Sequence, residues 1–154
     1  MASQRLLQRL PAAKQVGTAR LDQYRLNFHM DHHGDSGKCN IAFTGNTEDF
    51  VHGVLYGINV QEKIRLDGFE GLGTHYDQKQ VALVDENGRN ISALTYHALI
   101  TDARSVPFDW YRQHVLNGAI EHALAPEYIA MIEAIECKAD HDHEREAREL
   151  AIYQ

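Results

Sequence analysis

Glu70 stands in Leu66-Asp67-Gly68-Phe69-Glu70-Gly71 and is followed by Leu72-Gly73-Thr74-His75-Tyr76, surroundings that suit a general base. The two glycines that follow let backbone approach a small ligand closely, and a carboxylate at a helix end is where a general base could meet it. On composition alone, a solvated structural acid is the ordinary reading of such a residue. Gly71-Leu72-Gly73 is only a fragment of a dinucleotide fingerprint. Tyr76 fills the third glycine position and no clear strand precedes the loop, so a Rossmann site is rejected.

Few other residues have spacing that suggests chemistry. Cys39 and Cys137 are far apart and outside any Cys-x-x-Cys spacing, which favours two small apolar side chains over zinc or redox work. His29, Asp31, His32, His33 and Asp35 cluster in one stretch, and Asp140-His141-Asp142-His143-Glu144 forms another. Imidazole and carboxylate are suitable metal ligands, so a metal-binding module is a weaker alternative. Neither cluster has a structural-site spacing, and solvated loop and tail residues are the better account.

The elements that must position Glu70 follow from periodicity. Residues 3–10 have helical character, with Leu6, Leu7 and Leu10 on one side and Pro11 as the stop. Residues 14–21 and 24–30 read as strands, with Tyr24, Leu26 and Phe28 on one face at period two. A polar loop is expected over 31–38, then strands over 39–43 and 50–58. Asn59 with Glu62 three residues on has the form of a helix N-cap, and this helix carries Val60, Ile64 and Leu66 toward Glu70. Residues 75–84 and 90–100 form a hairpin across Asp85-Glu86-Asn87-Gly88. Helices over 108–123 and 126–136 follow, the second opening on Pro126. The order of elements is not the alternation of a doubly wound sheet; it reads as α+β, with a mixed sheet curled into a small barrel and flanked by helices.

Length allows one domain over residues 1–136, with 137–154 as a charged helix or frayed tail. The net charge is −7, and from Glu133 onward seven acids face three bases. With no Lys/Arg stripe elsewhere, binding to nucleic acid or to an anionic membrane is not expected. No apolar run reaches membrane-spanning length and the first residues lack a signal-peptide stretch, so a cytoplasmic location is expected.

The series Ala19-Arg20-Leu21-(x2)-Tyr24-Arg25-Leu26-x-Phe28, Asn40-Ile41, Val51-x-Gly53-Val54-Leu55-Tyr56, Leu66-Asp67-(x2)-Glu70-Gly71, Tyr76, Tyr111 and Gly118-Ala119 resembles the γ-glutamylcyclotransferase-like family. The likeness spans residues 1 to about 136. It implies a small α/β fold with a barrel core and a cavity for a γ-glutamyl group. It also implies an enzyme that cyclises a γ-glutamyl amino acid, peptide or amine to 5-oxoproline and frees the amine.

The resemblance makes Glu70 the catalytic acid/base, with Tyr76, Tyr111, Gly71 and Met1 at the substrate. Arg5 and Arg9 fall where the family often carries arginine. Burial of Glu70 beside the substrate should raise its pKa toward neutrality. No metal or organic cofactor is implied. The leaving group would be selected by loops such as 31–38 and 103–108.

One departure stands out. The family's Tyr-Gly-Ser-Asn-Leu/Met loop after its first strand is matched only at its last residue, by Met1. Either the start was assigned to an internal Met, which the survival of Glu70 and its aromatic partners favours, or the chain is a truncated relative. An unpaired edge where that strand would lie makes homo-oligomers conceivable. A catalytically inactive small-ligand-binding or scaffold protein of the same fold is the principal alternative.

Overall fold

The computed structural model describes residues 2–32 and 35–154, His32 by its backbone alone. The short helix α1 (Ser3–Arg9) leads into β1 (Lys14–Asp22), which pairs antiparallel with β4 (Phe50–Gly57). Its other edge meets β5 (Tyr76–Asp85), which runs antiparallel to β6 (Asn90–Ala98). These four form one sheet in the order β4-β1-β5-β6, while β2 (Tyr24–His32) and β3 (Ser36–Phe43) form a separate hairpin.

The expected single mixed sheet is therefore replaced by two antiparallel ones, and no closed barrel is found among the described residues. The cause is local. Between β1 and β2 the chain passes through Gln23 at φ 66°, a left-handed conformation that redirects β2 out of the first sheet. The Gln23 amide donates to the Asp49 carbonyl, and its carbonyl accepts from the Thr44 amide, so the sharp turn is fully bonded. Beyond that point the sheets are joined by hydrogen bonds that include the Ala98 amide donating to Asn40 Oδ1 at 2.8 Å, the Tyr76 hydroxyl donating to the Cys39 carbonyl at 2.8 Å and the Lys79 ammonium donating to the Tyr24 hydroxyl at 2.7 Å.

The polar stretch 31–38 is not a loop as expected, because β2 and β3 extend into it and pair Asp31 with Gly37. This places Lys38 on a strand, with a defined direction. The alternation in β2 holds: Tyr24, Phe28 and Met30 are buried. Leu26 from the same face packs against Leu21, Tyr24, Val51 and Val81, and equally against Leu116, Ala119, Tyr128 and Ile132. The second group belongs to α3 (Asp109–Glu121) and α4 (Pro126–Glu133), so one side chain joins the strand and helix halves of the core.

Helix α2 (Val60–Glu70) starts as expected, Asn59 accepting the Glu62 amide at 2.9 Å. Its supposed apolar face is not buried; Val60 and Ile64 are exposed, while Glu62 is buried. Polar anchors hold the helix in place of apolar packing. Glu62 accepts from the Ala12 amide at 2.6 Å, Asp67 accepts from the Tyr96 hydroxyl at 2.6 Å, and Lys63 donates to Gln78 Oε1 at 2.9 Å.

The C-terminal residues do form a helix, α5 (His143–Leu150), closed by a tight turn over Ala151–Tyr153. They are not a solvated tail, however. Asp140 is buried and accepts from Trp110 Nε1 at 2.8 Å and from Arg145 Nε and Nη2 at 2.6 Å each. The charge that suggested a free tail is used to dock it on α3. No helix among the described residues is long and apolar enough to cross a membrane.

Candidate active site

Six elements converge on a cavity of about 230 Å³ lined by Arg5, Arg9, Met30, Lys38, Phe69, Glu70, His75, Tyr76 and Tyr111. Another cavity, of about 250 Å³, lies over the inner face of the larger sheet; its lining holds no Asp, Glu, Lys or Arg side chain. The chemistry is in the first.

Glu70 reaches it because α2 ends there. The helix stops at Gly71, whose backbone is left-handed (φ 62°, ψ 50°), and the Leu72 amide returns to the Asp67 carbonyl at 2.9 Å. Gly71 itself does not line the cavity, so its place in the expected substrate-binding set becomes a capping one. A Cβ built at Gly71 would lie 2.6 Å from His75 Cδ2, a cavity residue. Gly71→Ala should therefore combine left-handed backbone strain of about 1–2 kcal/mol with displacement of the imidazole. The expected fall in thermal midpoint is roughly 2–8 °C for a chain of this size. An unchanged melting curve would show that the cap tolerates a side chain.

Glu70 has no hydrogen-bond or ion-pair partner among the described residues. Burial raises its carboxyl above the ordinary range, with Arg9 and then Arg5 opposing the rise. A partly desolvated, unpartnered acid is the state a proton shuttle requires. Arg9 is matched to it. Its guanidinium lies 5.1 Å from the centre of the Phe69 ring and is lowered in pKa by burial, with no hydrogen-bond partner among the described residues.

Tyr76 and Tyr111 are both present at the cavity, yet neither hydroxyl bonds Glu70. The Tyr76 hydroxyl donates to the Cys39 carbonyl at 2.8 Å, and the Tyr111 oxygen accepts from the Cys39 amide at 3.3 Å. Burial pushes both phenols far above their usual pKa, so they remain neutral. Cys39 is itself raised to about 11 by burial, which makes its thiol inert, as the sequence suggested.

Nothing in the residue pattern singles out Lys38, and Arg5 and Arg9 are marked only by the resemblance. Arg5 is the charge whose position the rest of the molecule fixes. It pairs with Glu149 of α5 and donates to His114 Nε2 at 2.8 Å. Since a guanidinium can only donate, Nε2 must be unprotonated, which puts the ring proton on Nδ1 facing the Tyr153 hydroxyl at 2.6 Å. Burial first, and Arg5 second, pull His114 down to about 4, consistent with a neutral ring. No local pattern could reveal this, because the partners are separated by over a hundred residues.

Met1, proposed at the substrate, and His33 lie outside the described residues, as does the His32 side chain. Among the described residues no group of three or more His, Cys, Asp or Glu could hold a metal ion. Asp140 from the second cluster is committed to Arg145 and Trp110.

Residues 50–132 match the model of the AIG2-like family. No functionally curated protein matches the chain significantly. Among solved structures, an uncharacterized human protein superposes with a TM-score of 0.82 at 24% identity, covering 99% of this chain and 92% of its own. A γ-glutamyl cyclotransferase does so with 0.81 at 24% identity, over 94% and 90%. YkqA from Bacillus subtilis gives 0.70 at 24%, over 81% of this chain and 46% of that protein. These likenesses establish the fold.

Proposed function

Since the chain belongs to the AIG2-like family, we propose that it is a γ-glutamylcyclotransferase-type enzyme in which Glu70 is the general acid/base. The observation that carries this reading is a carboxylate unpartnered among the described residues, raised in pKa by burial, facing a cavity lined also by three cations, four aromatic side chains and Met30.

The chemistry follows from the substrate's protonation. A γ-glutamyl compound carries an α-ammonium, which cannot attack its own γ-carbonyl. Glu70 removes one proton; the freed amine attacks the carbonyl carbon and a new C–N bond closes the five-membered ring. The bond to the departing amine then breaks as Glu70 returns that proton to it, and the second proton shed by the ring nitrogen on closure ends on the same amine, which leaves as an ammonium. Products are 5-oxoproline and a free amine, and atoms and electrons balance without a cofactor. Because nucleophile and electrophile belong to one molecule, positioning by the cavity wall supplies much of the acceleration.

Tyr76 and Tyr111 act as wall and ring support in this scheme, their hydroxyls held by Cys39. That same commitment is the observation favouring the second reading, a small-ligand-binding protein without turnover. The two are separated by incubating the purified chain with a panel of γ-glutamyl amino acids, γ-glutamyl amines and glutathione and measuring 5-oxoproline. Release above the uncatalysed rate is the expected result. A folded chain inert on the whole panel would leave only the binding reading.

A further inference from the structure

Arg5 lines the cavity and acts on the Glu70 carboxyl, yet the groups that hydrogen-bond it are not cavity residues. Its side chain is 11% exposed. Nη1 is held by Glu149 of α5 and by His114 Nε2 of α3, while Nε–H is buried without a hydrogen-bond partner among the described residues. A guanidinium presents its donors in one rigid plane. Two acceptors on a single corner therefore decide where the rest of the fork points.

That grip is braced from α5 and the turn that closes it. The His114 ring is 1% exposed, and its Nδ1–H faces the Tyr153 oxygen at 2.6 Å. Asn117 also hydrogen-bonds that hydroxyl, and its own oxygen accepts from Gln113 Nε2 at 2.6 Å. The direction of the relay is set by the one group that cannot accept. Arg5 donates to Nε2, the ring proton stays on Nδ1, and Tyr153 receives it. The opposite tautomer would aim an N–H at the guanidinium.

Resting on the proposed acid/base chemistry at Glu70, we infer that Glu149 and Tyr153 are positioning residues of the reaction. They aim the Arg5 guanidinium at the cavity, Glu149 directly and Tyr153 through the tautomer of His114. Neither lines the cavity, so each acts only through Arg5. Glu149 also offsets a desolvated positive charge whose isolation would be costly. A misdirected Arg5 weakens the bound substrate and the transition state alike, the pattern that raises KM and spares kcat.

Glu149→Ala should raise KM for γ-glutamylalanine about tenfold, the worth of one charge-assisted contact, with kcat held within about twofold. Tyr153→Phe removes only a hydroxyl and should raise KM about threefold. Glu149→Asp should recover part of the loss. Glu146→Ala makes the same charge change on the same helix, at a residue that contacts His143 rather than Arg5, and should leave both constants unchanged. The nitrogen NMR spectrum of the His114 ring reads the relay without turnover. Nδ1 should carry the proton in the wild-type chain, and Tyr153→Phe should bring in the Nε2-protonated form. An unchanged KM in Glu149→Ala, a loss confined to kcat, an equal rise in Glu146→Ala, or a wild-type proton on Nε2 overturns the inference. If the wild-type chain cyclises nothing, the proposed activity fails, and positioning is judged by calorimetric titration with γ-glutamylalanine. Affinity lowered by Glu149→Ala but not by Glu146→Ala sustains it; equal affinity, or no binding, overturns it.

Discussion

Glu70→Gln is expected to cost about 10²–10⁴-fold in kcat, the range supplied by a positioned acid/base, while raising thermal stability at pH 7. Both effects come from one observation: the carboxylate is desolvated and unpartnered among the described residues. Glutamine keeps the size of the side chain and removes the proton exchange. The sign of the stability effect follows from linkage. A carboxyl whose folded pKa lies above its unfolded one makes the folded state bind the proton more tightly. The fold is therefore favoured at low pH and loses stability as pH rises past the unfolded value of about 4.3. At pH 7 the native chain carries that penalty and the amide does not. At pH 3 both chains are uncharged at this position and the difference should vanish. Melting curves of the two proteins at both pH values, beside the 5-oxoproline assay, measure it. Retained turnover would remove Glu70 from the mechanism. A midpoint lowered at pH 7 would mean that Arg9 stabilises the carboxylate more than burial penalises it.

The second large effect lies far from the cavity. Asp140→Ala removes the acceptor for Trp110 Nε1 and the fork of Arg145, leaving a tryptophan N–H without its acceptor in the core. Breaking a buried pair typically costs 3–5 kcal/mol. The Arg145 side chain is 32% exposed, which favours the lower end, about 3 kcal/mol, or roughly 6–12 °C in midpoint for a chain of this size. Asp140→Asn keeps an oxygen for Trp110 and loses only the ion pair, so it should fall between the two proteins.

The pH dependence is opposite to that of Glu70. Arg145 holds the Asp140 carboxyl far below its usual range. Its contribution is thus fully present above the unfolded value of about 3.9 and is lost as pH falls below it. Catalysis should respond too, through position. Releasing α5 frees Glu149 from Arg5, so KM should rise more than kcat falls. Loss of kcat alone would indicate that the tail acts on Glu70 directly.

Much of the path to Glu70 could be read in advance because it rests on contacts within a few residues. The Asn59 cap, the helix end at Glu70 and the 85–88 hairpin turn are all local chemistry. So is the burial of Tyr24 and Phe28 on one face of β2. Errors arose where the same local signal had two tertiary outcomes. Val60 and Ile64 look like a buried stripe, but α2 is held by Glu62 and Asp67 and its apolar residues face outward. The acidic tail looks solvated because charge usually is, yet Trp110 offers a buried donor that makes burial of Asp140 favourable. One residue at positive φ, Gln23, separates two strands that periodicity alone would have placed side by side.

The sequence by itself determined that a carboxylate would stand at a helix end before a glycine stop, within an α+β chain resembling cyclotransferases. Residue type and spacing are enough for that, since caps, turns and periods act over one to four positions. Only the tertiary structure decided which charges Glu70 would face. Arg9 and Arg5 of α1 act on its carboxyl and Lys38 of β3 lines the same cavity, and whether a cation is free depends on every acid that could have reached it. Arg5 is claimed by Glu149 and Arg145 claims Asp35 and Asp140, which leaves Lys38 and Arg9 without a carboxylate in salt-bridge contact among the described residues. Electrostatic pairing is a competition in space among residues scattered from 5 to 149, and no window along the chain contains it.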